Sequence, residues 1–438
     1  MINLPIAFTE RMKHQLGTEA DAFFQALQEP ATRGLRRNPM RGTTASWLPE
    51  GTEGRIPWAQ DGYYLSESSN AGNLIWHEAG AYYIQDPGAM LPAEVLNARP
   101  GEYILDMCAA PGGKSTQIAC AMQGQGILVA NEVVPKRCAI LSRNLERMGV
   151  TNALCISMTA EQLSMRWPEC FDAVLVDAPC SGEGMFRKAP ETMESWSPEI
   201  ADGCIQRQKD ILSHSSRLVC PGGRMAYSTC TFHREENEGM MEWFLNAFPE
   251  FELESFQLPG IDGHTGMATC YPHRIHAEGQ FVALLRKRGT YSRMPWAEEV
   301  TVTDRGVLQN IQKFSDMVIS PIYKLGNTFF HLQNCPVLAG IKTLRAGLQL
   351  GELRGKLFIP DHAFALSWTP PHIPVCTLSE TDALRYMAGE MIPVQEDCSG
   401  YVLAAFHGLV LGFGKVTAGN MKNHYPKGLR RQLEASVG

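Results

Sequence analysis

No C-x-x-C pair occurs among the 13 cysteines of this chain, and their spacings are irregular. Without paired ligand spacing a structural zinc site is not expected. An odd number of cysteines in a 438-residue chain with no secretory signal points to reduced thiols rather than a disulfide framework. No apolar run approaches the ~20 residues that a membrane-spanning helix needs. Met1 to Pro5 soon give way to Glu10, Arg11 and Lys13, so the start lacks the apolar stretch of a signal peptide. A cytoplasmic protein with no membrane or metal partner is the expectation. Excess positive charge is missing too, because the formal net charge is −7. Any nucleic-acid partner must then be held by local basic patches.

Two such patches exist. Arg33, Arg36, Arg37 and Arg41 crowd one segment, and Lys415, Lys422, Lys427, Arg430 and Arg431 crowd another. Tyr401 to Arg431 contains no Asp or Glu. The ordinary alternative for either patch is a solvated face. One at each end of an acidic protein makes Arg36, Arg37, Lys415, Lys422, Lys427 and Arg430 candidate nucleic-acid contacts.

The length exceeds one ordinary core and implies several domains. Residues 1–70 read as a small α+β N-terminal module. It has helical patterning at Pro5–Leu16 and Glu19–Leu27, then a Gly/Pro/Arg-rich loop and Trp47, Trp58, Tyr63 and Tyr64. Residues 71–288 alternate strand and helix signals, the mark of a mostly parallel sheet. Residues 289–373 are less regular, with one helix expected at Leu308–Met317. Pro370, Pro371 and Pro374 mark a boundary before residues 374–438, where a short helix precedes strand patterning at Tyr401–Ala405 and Leu409–Gly414.

Two cysteines each close a strand-like run. Asp177-Ala178-Pro179-Cys180 follows Ala173–Val176, and Tyr227-Ser228-Thr229-Cys230 follows Gly222-Gly223-Arg224. Strand C-termini in a wound sheet open on the ligand crevice, so two thiols beside an aspartate point to covalent chemistry. Packing as small apolar groups is the alternative, and it fits most of the other cysteines. A third strand end carries Asp106-Met107-Cys108-Ala109-Ala110-Pro111-Gly112-Gly113-Lys114-Ser115, a loop that opens a helix, where a nucleotide-like ligand meets backbone N–H groups. A phosphate-binding P-loop needs a glycine five residues before Gly113, and Cys108 stands there. A G-x-G-x-x-G is absent as well. The next strand ends Ala130-Asn131-Glu132, and an acid there is placed to accept from both ribose hydroxyls. A glycine loop and that acid, without phosphate machinery, favour S-adenosyl-L-methionine.

With these motifs on one chain, the sequence resembles the RsmB/NOP (Sun) family of RNA cytosine-5 methyltransferases, in its bacterial branch of 16S rRNA methyltransferases F. The matching stretches are Gln85 to Pro92, Cys108 to Lys114, Asp177 to Gly184, Tyr227 to Cys230, and Tyr271-Pro272-His273. Gly412 to Lys415 and Lys422 to Arg430 resemble that branch's PUA-like RNA-binding module, so the resemblance spans nearly the whole chain. It implies an α/β protein: a Rossmann-like class I S-adenosylmethionine-dependent methyltransferase core, an α+β N-terminal module and a C-terminal PUA-like domain. It implies cofactor contacts from Cys108, Ala109, Ala110, Pro111, Gly112, Gly113, Lys114, Glu132 and Asp177, with Cys230 as nucleophile. Two positions depart from the family. An Asp usually follows the third strand near the adenine; Thr159 stands at the matching position as a candidate cofactor contact, with Glu161 as a nearby substitute, or backbone and apolar contacts holding the adenine, as the alternatives. Gln280 stands where an aromatic is common.

The chemistry explains the residue types. Carbon 5 of cytosine is a poor nucleophile, but a thiolate added at carbon 6 turns the ring into an enamine that can attack a sulfonium methyl. Cysteine suits this step, and Lys114 is a candidate for the electropositive setting that favours its thiolate. Asp177, protonated or hydrogen bonding, is placed to stabilise charge developing at ring nitrogen 3. The carbon 5 proton must then leave and Cys230 be eliminated, and Cys180 fits that release step. Amino-group methyltransferases carry Asn/Asp-Pro-Pro-Tyr/Phe at the fourth strand, where this chain has a thiol. DNA cytosine-5 enzymes attack with a Pro-Cys thiol on that strand, whereas here a second cysteine follows one strand later. The target base must be unpaired or flipped out, and Arg187 and Lys188 are candidates for its flanking phosphates. A monomer acting on 16S rRNA, free or in the small subunit, is the expectation. A tRNA target, a non-catalytic ribosome assembly factor and a small-molecule methyltransferase are the alternatives, the last leaving both basic segments unexplained.

Overall fold

Nine strands form the central sheet: β1 (Tyr103–Asp106), β2 (Ile127–Asn131), β3 (Ala153–Ile156), β4 (Phe171–Asp177), β5 (Val219–Thr229), β6 (Phe251–Leu253), β7 (Met267–Cys270), β8 (Gln280–Lys287) and β9 (Thr343–Ala346). This is a computed structural model that describes residues 4–41, 47–314, 319–355, 357–394 and 398–433. The strand order is β6-β8-β5-β4-β1-β2-β3-β9, with β7 also paired to β8. Strands β1 to β5 are parallel, and β8 runs antiparallel against β5.

The register shows why these runs make a doubly covered sheet. Leu105, Val129, Val174 and Met225 are cross-strand neighbours on one face, packed under Leu163, Leu212 and Phe244. Ile104, Leu128, Leu175 and Ala226 face the other side, under Ile118 and Leu141. Strand side chains alternate between faces, so a strand buried on both sides reads as a continuous apolar run. Burying each such side chain contributes roughly 1.5–3 kcal/mol. Helices α1 (Gly113–Met122) and α2 (Pro135–Arg147) cover the second face; α3 (Ala160–Arg166), α4 (Pro198–Leu218) and α5 (Glu238–Ala247) cover the first.

The flanking parts contribute strands and contacts across residues 70 and 289, the expected boundaries. The N-terminal helices, Ile6–Leu16 and Ala20–Ala26, precede a four-stranded sheet whose last member, Tyr82–Ile84, lies beyond residue 70. Beyond residue 289, β9 returns to add an antiparallel edge to β3, anchored by buried Arg345 on Glu146 at 2.9 Å. Trp296 stacks on Tyr103, while Tyr291 and Arg293 bind Asp172 at 2.7 and 2.6 Å. A strand's own pattern does not say which edge it will join. The expected helix Leu308–Met317 is found as Arg305–Gln312, capped by Asp304; residues 315–317, like 1–3, lie outside the described residues.

The last residues form a five-stranded sheet. It packs against the N-terminal module, where Trp76 meets Phe406 at 5.4 Å and stacks on His407 at 5.6 Å. Arg41 pins this junction by donating to the carbonyls of Ala79, Leu366 and Val410 at 3.0, 2.5 and 2.7 Å. Among the described residues, no helix is long and apolar enough to cross a membrane.

Candidate active site

The C-terminal ends of β1, β2, β4 and β5 open on one cleft of about 430 Å3, lined by Cys108, Glu132, Asp177, Cys180 and Cys230 among others. That volume is in the range of small-molecule and cofactor sites. The topology therefore gathers chemistry spread over more than a hundred residues of sequence. Among the cysteines of the central sheet and its helices, Cys108, Cys180 and Cys230 are the ones that reach the surface.

The two strand-end thiols meet. Cys180 Sγ lies 3.4 Å from Cys230 Sγ, and the backbone N–H of Cys230 also points at Cys180 Sγ at 3.4 Å. The neighbouring Cys230 sulfur, burial and the Glu236 charge all hold Cys180 in its protonated form. Cys180 is thus a proton-bearing partner for Cys230. Beside them Lys114 Nζ pairs with Asp177 Oδ2 at 2.7 Å, and Ser228 Oγ donates to Asp177 Oδ1 at 2.7 Å. Burial opposes the charge on Lys114, but Asp177, Cys230 and Asp106 outweigh it and raise its pKa. Of the two expected forms of Asp177, protonated or hydrogen bonding, the geometry shows hydrogen bonding, with one bond accepted by each oxygen.

The other half of the cleft is the loop from Met107 to Gly112. Ala109 N–H donates to the Asn131 carbonyl at 2.8 Å, and the Asn131 amide donates to the Met107 carbonyl at 3.0 Å, so the loop is tied to β2. Gly112 opens α1 with φ +113°, a conformation L side chains rarely adopt, and a Cβ there would sit 3.2 Å from Leu141 Cδ1. Glu132 is 3% exposed, with Oε1 accepting from Val134 N–H at 2.9 Å and Oε2 facing Arg137 at 3.4 Å. At the base of the loop Asp106 accepts from Ser115 Oγ at 2.6 Å, while its buried Oδ1 has no hydrogen-bond partner. Thr159 lies on the rim as the N-cap of α3, in a capping box with Gln162. Its hydroxyl accepts from Gln162 N–H at 3.2 Å, so its first engagement is with the helix. Glu161 is exposed and not among the lining residues. Sequence reasoning missed Val133, Val134, Arg137, Arg207 and Ile211, all of which line the cleft. Val133 is 56% exposed, a side chain that gains from an apolar partner. Two valines directly after Glu132 were the available signal.

The candidate RNA contacts divide. Arg36 is corrected outright: it is 2% exposed and donates to Thr116 Oγ1, Gln85 Oε1 and the Gly113 carbonyl at 2.7, 3.2 and 3.4 Å, bracing the first turn of α1. Arg187 is corrected too. Its side chain is 5% exposed and forms a two-pronged pair with Glu278, both contacts at 2.9 Å. A cation so buried needs that partner and is withdrawn from phosphate. Arg37 pairs with Asp61 at 2.7 Å, and Lys188 with Asp86 at 2.7 Å, both half-buried. Lys415, Lys422 and Lys427 are exposed, and Lys415 lies directly opposite Lys422 in the ladder. Arg430 is half-buried against the Tyr425 carbonyl at 3.3 Å.

A sheet with five parallel central strands flanked by antiparallel pairings, together with a strand-end cleft of acids and thiols without a phosphate loop, defines a Rossmann-like methyltransferase. Family models agree domain by domain: "16S rRNA methyltransferase RsmB/F" matches residues 93–286, the N-terminal domain of 16S rRNA methyltransferase RsmF 4–87, the RsmF first C-terminal domain 311–368, and the methyltransferase RsmF PUA domain 374–431. The chain belongs to the RsmB/F family of 16S rRNA methyltransferases. It is 30% identical to the ribosomal RNA small subunit methyltransferase F of Shigella boydii, covering 100% of this chain and 98% of that one. The namesake from Vibrio vulnificus is also 30% identical, covering 98% of each. Among solved structures, a methyltransferase homolog from Pyrococcus horikoshii aligns with TM-score 0.57 at 26% identity, over 65% of this chain and 96% of that one. NSun6 from the same organism, solved with SFG, shares the fold at TM-score 0.58 and 22% identity, over 65% and 99%.

Proposed function

We propose that this protein transfers a methyl group from S-adenosyl-L-methionine to carbon 5 of a cytosine in 16S rRNA, through a covalent bond between Cys230 and carbon 6. The observation that carries this reading is the 3.4 Å approach of the Cys180 and Cys230 sulfurs beside the Lys114–Asp177 ion pair. The cleft's donor set fits the cofactor. Glu132 suits the ribose hydroxyls, Val133 offers an apolar wall for the adenine, and the carboxylate of Asp177 favours a cationic ligand end over a phosphate. When bound, S-adenosylmethionine supplies an electrophilic methyl group on a sulfonium.

The chain's own residues prepare and release the base. Cys230 adds its sulfur electron pair to carbon 6, and the displaced π pair conjugates through carbon 5 with the ring carbonyl and nitrogen 3. Lys114 is the cation beside Cys230, and the two interact electrostatically. Asp177 orients Lys114 and is placed to accept from the exocyclic amine, while Lys114 is the nearby donor for charge on the ring. Once carbon 5 carries the methyl group, its proton passes to solvent, the C5=C6 bond re-forms, and the C6–S bond breaks to return Cys230 as thiolate. Cys180, kept protonated, donates its S–H to that departing sulfur. The exposed Lys415, Lys422 and Lys427 are the phosphate contacts of the C-terminal module, positioning RNA without reading its sequence. This reading places the protein in the cytoplasm with the assembling small subunit.

Bisulfite mapping of 16S rRNA and tRNA after incubation with purified protein tests the reading. Cys230→Ala is expected to abolish methylation and adduct formation. Cys180→Ala is expected to accumulate a slow-migrating protein–RNA species on a denaturing gel. Methylation confined to tRNA overturns the rRNA assignment, and a Cys180→Ala protein without that species removes the release step from Cys180.

A further inference from the structure

Glu236 is a fully buried carboxylate whose charge helps keep Cys180 protonated but whose hydrogen bonds the chemistry above does not use, six residues beyond Cys230 in the chain and at the back of both cysteine loops. Three donors meet it: Ser181 N–H at 3.0 Å, Ser181 Oγ, and Gln208 Nε2 at 2.8 Å. Ser181 directly follows Cys180. Its hydroxyl also meets Thr231 Oγ1 at 2.8 Å, and Thr231 directly follows Cys230. Gln208, on α4, donates to the Pro179 carbonyl at 3.1 Å, so the residues on both sides of Cys180 are tied to one carboxylate. The Glu236 carbonyl accepts from Tyr227 Oη at 2.7 Å, which anchors it to β5, the strand that delivers Cys230. Ser181, Gln208 and Thr231 are all buried. No arginine or lysine pairs with Glu236 among the described residues; its partners are neutral and directional.

We propose that Glu236 is a positioning residue for the two thiols: its carboxylate, through Ser181, Thr231 and Gln208, fixes the Cys180 loop against the Cys230 loop and so sets the sulfur–sulfur separation. The inference rests on the covalent reading above and extends it. A buried carboxylate held by neutral donors is costly, because burial and the nearby Glu183 charge raise its pKa while the Ser181 and Gln208 hydrogen bonds only partly offset this. Three convergent hydrogen bonds make it rigid, and rigidity is what a reacting pair needs. A misplacement of ~1 Å costs on the order of 100-fold in rate.

The test compares wild type, Glu236→Ala and Glu236→Gln in single-turnover and steady-state methylation of 16S rRNA, with melting curves for each. Glu236→Gln keeps the size and an acceptor oxygen, and Ser181 Oγ can turn to accept from its amide. It is expected to retain kcat to within about 5-fold, whereas Glu236→Ala loses on the order of 100-fold in kcat with KM for RNA nearly unchanged. Wild-type kcat in Glu236→Ala overturns the proposal, as does a loss confined to KM. An equal kcat loss in Glu236→Gln with an unshifted melting curve also overturns it, because position would then not be what the carboxylate supplies. A wild type that forms no 5-methylcytosine in the same assay refutes the covalent reading itself and is thereby told apart.

Discussion

Replacing Asp106 by asparagine is expected to stabilise the protein increasingly as pH rises. Asp106 is buried at the base of the cofactor loop, and burial, reinforced by the charges of Asp177 and Glu132, lifts its pKa from 3.8 to about 7. Ser115 and Lys114 oppose the lift without cancelling it. The folded pKa is above the unfolded one for an acid, so the sign runs against the usual carboxylate. Between about pH 4 and pH 7 the folded protein keeps a proton that the unfolded chain has lost, and stability falls as pH rises through that window before levelling off. Each pH unit there is worth ~1.4 kcal/mol, so moving from about pH 5 to about pH 8 lowers this group's contribution by about 3 kcal/mol. An asparagine side chain resembles the protonated acid: its oxygen can accept from Ser115, and it carries no charge to desolvate. Urea unfolding of both proteins at about pH 5 and about pH 8 should therefore show the advantage of Asp106→Asn growing by about 3 kcal/mol. A difference independent of pH, or one that shrinks as pH rises, refutes the argument. A gain in stability accompanied by a loss of methyl transfer is the trade expected of a strained acid retained for function.

Arg187→Ala leaves Glu278 charged and buried without its partner, and chemical denaturation should show a loss of about 3–5 kcal/mol. RNA affinity measured on the folded fraction should keep its wild-type salt dependence, since Arg187 is withdrawn from solvent. Lys415→Ala and Lys422→Ala should behave in the opposite way, with unchanged melting curves and a slope of log affinity against log salt that falls by about 0.7–0.9 for each lysine. An unchanged slope removes these lysines from the phosphate contacts. Glu132→Ala should weaken S-adenosylmethionine binding by about 10- to 100-fold in titration calorimetry, the scale of a lost hydrogen bond to a charged group. An unaltered dissociation constant removes Glu132 from the cofactor site.

Much of the central sheet was legible because strands buried on both faces read as apolar runs, and the run Ala173–Val176 lies within the strand Phe171–Asp177. The thiols at 180 and 230 and the acids at 132 and 177 share one cleft for the same reason: strand ends in a parallel sheet meet along one edge. Partnership was not legible. Arg36 and Arg187 look like any surface arginine in sequence, and only the folded chain reveals that Thr116, Gln85 and Glu278 enclose them. Thr159 lines the cleft at the position the family resemblance singles out, and only its local neighbour Gln162 shows that it also caps a helix. The strand Thr343–Ala346 carried no mark of the edge it joins.

What the amino-acid sequence determined by itself was chemistry attached to local structure: which residues close strands, which loop opens a helix without phosphate machinery, and which segments carry cations. Those follow from patterns a few residues long. Tertiary structure alone decided distances and environments. It brought Cys180 within 3.4 Å of Cys230, set Lys114 against Asp177, and buried Glu236 behind both cysteine loops. It also sorted the basic residues into buried struts and exposed contacts. Hydrogen bonding and desolvation depend on neighbours far apart in the chain, so the reactivity of a thiol or an acid is a property of the fold rather than of its motif.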